Sequence, residues 1–109
     1  MNLKEFSRYL ERDIRCVHCG TEGDVLIPQH RKNRGFGGSK ERNRPSNVLV
    51  MCSAFNGLIE ADAEAAALAR KYGWKLESWE DPEDVPFFAE GKWWFVDNLY
   101  GRFAAINWD

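Results

Sequence analysis

The chain has 109 residues, a formal net charge of −2 and a hydrophobic content of 44%. That is one domain's length with one modest core, and the overall charge gives no general attraction to a polyanion. No apolar run approaches the ~20 residues of a membrane span, and Met1 to Glu5 lacks the charged-then-apolar layout of a secretory signal. A cytoplasmic protein is therefore the expectation.

Taken in chain order, residues 2–12 predict a short helix, with Leu3, Phe6 and Leu10 on one face and Asn2 as its cap. Cys16-Val17-His18-Cys19-Gly20 predicts a tight turn that suits a metal knuckle better than a disulfide. Val25-Leu26-Ile27 predicts a strand, which Pro28 limits to an edge or an end. Residues 31–46 show no apolar period and carry Gly35, Gly37, Gly38 and Pro45, so they predict a long loop that is either functional or disordered. Asn47 to Met51 predicts a second strand. Residues 53–72 predict one helix, capped by Ser53, striped by Leu58, Ala61, Ala65, Leu68 and Tyr72, and ended by Gly73.

The remainder reads as β structure. Trp74 to Trp79 alternates as a strand does, and residues 87–96 predict a hairpin turning at Glu90-Gly91. The five tryptophans are expected in core and hairpin packing rather than stacked on unpaired bases. There is no internal repeat and no second domain. The expectation is a single α+β domain: an N-terminal helix (1–14), a core (15–72) and a β-rich aromatic extension (73–109).

Charge is unevenly placed. Arg31, Lys32, Arg34, Lys40, Arg42 and Arg44 are opposed only by Glu41, whereas the last third is acidic. A basic, glycine-rich loop on an acidic body predicts local, salt-sensitive and largely sequence-independent contact with the phosphates of a polyanion. His30 ends the first strand beside that loop, and a neutral imidazole with a pKa near ~6.5 is suited to take a proton from water.

Strand, long loop, strand and helix, with Cys16-x-x-Cys19-Gly20, Gln29-His30-Arg31, Arg34-Gly35-Phe36-Gly37-Gly38-Ser39 and Pro45-Ser46-Asn47-Val48, resembles the small HNH endonucleases of phages and actinobacteria. The resemblance covers the middle of the chain and leaves 73–109 unaddressed. It implies a ββα-metal core and metal-dependent hydrolysis of DNA phosphodiesters. In it His30 is the general base, and Asn47 holds the loop backbone or orients the imidazole.

A divalent cation (Mg²⁺, Mn²⁺ or Ni²⁺) is implied between Gln29, Asn56 and Glu60. Gln29 stands where the family usually has His or Asp, and Asn56 where it usually has His. The ligand set thus carries one negative charge and predicts weak binding unless phosphate oxygens complete it. Relatives often carry a four-cysteine structural zinc. Here Cys16, Cys19 and Cys52 are present and Phe55 takes the fourth place, while His18 is expected to reach an ion only through a strained turn. The outcomes are a three-cysteine site with an outside ligand or, favoured, loss of zinc with Phe55 filling the volume. The alternative function is a non-cutting HNH-like module that binds nucleic acid or a host protein, with 73–109 as a protein-docking segment.

Overall fold

The computed structural model describes residues 1–33, 39–106 and 108, with 39 and 40 described by their backbone only. They form a mixed α+β globule with two small antiparallel sheets. Helix α1 (Leu3–Asp13) begins as expected, because the Asn2 side chain accepts the Glu5 N–H at 2.8 Å. It buries Phe6, Tyr9 and Asp13. Strands β1 (Leu26–His30) and β2 (Val48–Cys52) pair antiparallel, with Gln29 opposite Leu49 and His30 opposite Val48. Strand β1 runs three residues past Ile27 and includes Pro28, tolerated because β1 has a strand on one side only. Strand β2 is buried throughout, packed against α1 and against α3 (Ser53–Ala61).

Between β1 and β2 the chain forms the short helix α2 (Ser39–Arg42) and a 3₁₀ turn (Pro45–Asn47). The glycine-rich stretch 34–38 lies outside the described residues. The single helix expected over 53–72 is two, α3 and α4 (Ala63–Lys71). Asp62 breaks it: its backbone is extended, and its carboxylate caps α4 by accepting the Ala65 N–H at 3.0 Å. A short polar side chain competes for backbone hydrogen bonds in a helix interior but satisfies an orphan N–H at its start. Gly73 ends α4 with φ +75°, and a side chain there would overlap the Pro86 carbonyl oxygen.

The expected strand at 74–79 is absent. Trp74 and Lys75 donate their N–H groups to Ala69 O, and Leu76 donates to Arg31 O, so this segment is bonded to a helix end and to the chain beyond β1. The expected hairpin is present: β3 (Phe87–Ala89) and β4 (Lys92–Val96) join through Glu90 and Gly91, both at positive φ. A third strand, β5 (Arg102–Ala104), pairs with β4.

Arg31 departs furthest from expectation. It is no surface phosphate contact: it is 1% exposed. Its Nε donates to Gly73 O, Nη1 to Ser46 O and Pro82 O, and Nη2 to Val85 O, at 2.6–3.2 Å. Burial lowers its pKa to about 9, which still leaves it charged at neutral pH. An isolated buried charge is costly, and here polar carbonyls stand in for lost water. Replacing Arg31 by Met should therefore strip hydrogen bonds from four carbonyls and cost on the order of 3 kcal/mol or more. Arg31→Lys should lose much of that too, because an ammonium lacks the fork. Urea unfolding measures both, and a near-zero change in either would contradict this role.

Candidate active site and cysteine cluster

A small polar cavity of about 160 Å³ lies at the end of β1, lined in part by Gln29, His30, Arg42, Asn56, Glu60 and Lys75. Strand β1 supplies Gln29 and His30, and α3 supplies Asn56 and Glu60 one turn apart. The three residues expected to hold a cation thus line one space with the imidazole. Gln29 is 5% exposed and its amide is committed. Its Nε2 donates to Trp74 O at 3.1 Å, and its Oε1 accepts from Asn56 Nδ2 at 2.6 Å. The Asn56 amide oxygen and the Glu60 carboxylate complete the oxygen donors on the helix side.

Two asparagines divide the work expected of one. Asn47 is fully buried, and its Nδ2 donates to Lys32 O at 2.9 Å and Arg42 O at 2.8 Å. It ties together the two ends of the loop between β1 and β2. Orientation of the ring falls instead to Asn43, whose Oδ1 lies 2.6 Å from His30 Nε2. An amide oxygen only accepts, so Nε2 carries the hydrogen and Nδ1 keeps the lone pair. Asn43 is itself braced by α1, since Tyr9 Oη donates to its carbonyl at 3.1 Å. Burial, with Arg42 adding to it, lowers the His30 pKa below the usual 6.5, and the hydrogen bond to Asn43 pulls the other way.

The expected basic surface is smaller than the sequence implies. Besides Arg31, Lys32 is buried and donates its ammonium to Glu80 O at 2.8 Å. Arg44 is only partly exposed and is bridged to Asp81 at 3.1 Å, with Glu41 and Glu83 within 4.0 Å. The acidic last third and the basic loop therefore meet in part, rather than standing as separate faces. Arg42 stays exposed, with its Nε donating to Asn33 Oδ1 at 2.9 Å. Arg34 and the Lys40 side chain lie outside the described residues.

At the opposite end of the β1–β2 pair from His30, the sulfurs of Cys16, Cys19 and Cys52 and a ring nitrogen of His18 lie within 4.8 Å of one another. This cluster could hold a metal such as zinc. Two thiolates held ~2.3 Å from zinc in a tetrahedron stand about 3.8 Å apart. The sulfurs of Cys19 and Cys52 are 3.9 Å apart. Cys16 Sγ accepts N–H groups from His18 at 3.3 Å and Cys52 at 3.2 Å, as a thiolate in a knuckle requires. The expectation about the fourth place is corrected here. It is His18 that lies beside the sulfurs, and Phe55 stacks on its ring at 3.7 Å and 6°. The left-handed residue of the turn is Gly20, so His18 joins the cluster without strain there. Burial also lowers the His18 pKa, favouring the neutral ring that a metal needs.

No protein-family model matches this chain, and no curated protein or solved structure matches it either. Sequence reasoning did not name Lys75 or Asn43 as parts of the site. Asn43 carries a weak signal, a polar residue inside the loop that His30 borders. Lys75 carries none, because it sits beyond the apparent end of the core.

The lowered His30 pKa sets a stability profile. Between the folded value and the unfolded value near 6.5, the unfolded chain binds more protons, so stability rises with pH and falls on acidification. The melting temperature should drop between about pH 7.5 and about pH 5, and drop less in His30→Gln. Equal drops in both proteins would contradict the burial of a neutral ring.

Proposed function

We propose that the protein is a small HNH-like endonuclease, built on a ββα-metal core, that hydrolyses DNA phosphodiesters with His30 as general base. One observation carries the proposal: His30 shares a polar cavity with Gln29, Asn56 and Glu60, and its Nε2 is engaged by Asn43. The ring then has one job available at Nδ1. It takes a proton from a water molecule as the water oxygen attacks phosphorus and the ester P–O bond breaks. Asn47 keeps the loop ends in place beside the ring. The donors of Gln29, Asn56 and Glu60 are all oxygens, which fits a hard divalent cation of the Mg²⁺ or Mn²⁺ kind, with Ni²⁺ a further candidate. Bound there, such an ion would neutralise charge on the scissile phosphate and the leaving oxygen.

Plasmid DNA incubated with the protein and Mn²⁺ should be nicked, and His30→Ala should lose at least about 100-fold in rate. Retained DNA binding without nicking under any of the three ions would replace the enzyme by a binding module. The hydrogen bond from Asn56 Nδ2 to Gln29 Oε1 favours that second reading, because it occupies the amide oxygen that a metal site would use.

We further propose that the cysteine cluster holds a structural zinc with His18 as fourth ligand. Zinc there would tie the knuckle to the junction of β2 and α3, the same helix that carries Asn56 and Glu60. Protein purified without added metal should contain close to one zinc per chain by elemental analysis, and His18→Ala should lower its retention under chelator. Zinc-free wild-type protein, or equal retention in the variant, would contradict it.

A further inference from the structure

Backbone hydrogen bonds on either side of Lys75 bring it to the cavity that His30 lines. Gln29 and Arg31 flank His30 on β1 and its extension, and Trp74 and Leu76 flank Lys75. Gln29 Nε2 donates to Trp74 O at 3.1 Å, and Leu76 N donates to Arg31 O at 2.6 Å. The Arg31 guanidinium also holds Gly73 O at 2.8 Å. Residues 73–76 are therefore stitched along the end of β1, with Trp74 and Leu76 buried and Lys75 left between them, half-buried, lining the His30 cavity.

The charge around that cavity is the reverse of what a bare cation wants. One carboxylate, Glu60, faces two permanent cations, Arg42 and Lys75. Among the described residues neither cation has a carboxylate within 4.0 Å. Lys75 and Glu60 also line an adjoining polar groove of about 530 Å³, in which Arg70 is paired with Glu77 at 3.1 Å and the Lys32 ammonium is held by Glu80 O, so the charges left to an incoming anion are those of the His30 cavity.

We propose that Lys75 and Arg42 form a phosphate subsite in the His30 cavity, which takes a phosphodiester group before any metal ion binds. The proposal rests on the nuclease reading for its substrate, but not on cleavage. Phosphate oxygens held there turn the cavity negative, so a divalent cation binds to the complex more tightly than to the protein alone. Lys75 supplies a point charge and Arg42 a fork.

The test uses the full-length protein in EDTA with a short deoxythymidine oligonucleotide, and separately with inorganic phosphate, followed by calorimetry. The oligonucleotide should bind without metal, about tenfold more weakly in Lys75→Gln, and as in the wild type in Lys75→Arg. Arg42→Gln, at an exposed position, should weaken binding as well and decides the matter if Lys75→Gln fails to fold. Inorganic phosphate bound as tightly as the oligonucleotide would show an anion site not built for a diester strand and would overturn the proposal. Mn²⁺ titrated by electron paramagnetic resonance should bind at least about tenfold more tightly with the oligonucleotide present. Oligonucleotide binding only after metal is added, or unchanged affinity in folded Lys75→Gln, would also overturn it. Because nothing here requires a cut, a protein that binds as described but never nicks DNA would sink the nuclease reading and leave the subsite standing.

Discussion

The guanidinium of Arg31, buried and spread over the carbonyls of Ser46, Gly73, Pro82 and Val85, joins the end of β1 to the turn before β2, the end of α4 and the loop before β3. Among the described residues no carboxylate sits within 4.0 Å of it. A carbonyl is a weaker partner than a carboxylate, but four of them satisfy the fork in several directions at once. The charge therefore acts as a hub. Removing it would not free one contact but unfasten the chain segments on either side of His30.

From that hub the site follows. Gln29 and His30 are held because the next residue cannot move, and Lys75 is delivered to the same cavity because Gly73 and Leu76 are bonded to Arg31. Asn47 closes the loop from the other side through Lys32 O and Arg42 O, and the helix α1 braces Asn43 through Tyr9. The cavity is thus made by four separate stretches of chain, with neutral amides where charged ligands would be the simpler choice. Two protein cations and one carboxylate make the cavity better suited to an anion than to a bare cation.

Much of this was legible from local chemistry. The Asn2 cap, the β1 and β2 strands, the Gly73 stop and the Glu90-Gly91 turn all depend on residues next to one another, and each formed. The break at Asp62 was missed because an alanine-rich stripe runs through it, and the helix period does not register one capping carboxylate. Trp74 to Trp79 alternates as a strand would, yet its N–H groups found partners on α4 and beyond β1, which no period can foresee. The basic run misled for a different reason. Arg31, Lys32 and Arg44 look alike in sequence, but their partners come from residues 46–85, so burial and pairing there are tertiary facts. The short spacing inside Cys16-Val17-His18-Cys19 suggests a strained turn for His18, whereas Gly20 takes the left-handed position and Phe55 stacks on the ring.

The nuclease proposal requires that His30 face a cation held by Gln29, Asn56 and Glu60 once a phosphodiester is present. The most direct measurement is a crystal structure with Mn²⁺ and a non-hydrolysable oligonucleotide, read by anomalous scattering. One manganese peak is expected in bonding contact with those three side chains, with a phosphate oxygen in the shell and the His30 Nδ1 turned to the phosphorus. Manganese bound elsewhere, or a cavity that stays closed by the Gln29–Asn56 hydrogen bond with the oligonucleotide on another face, would contradict it.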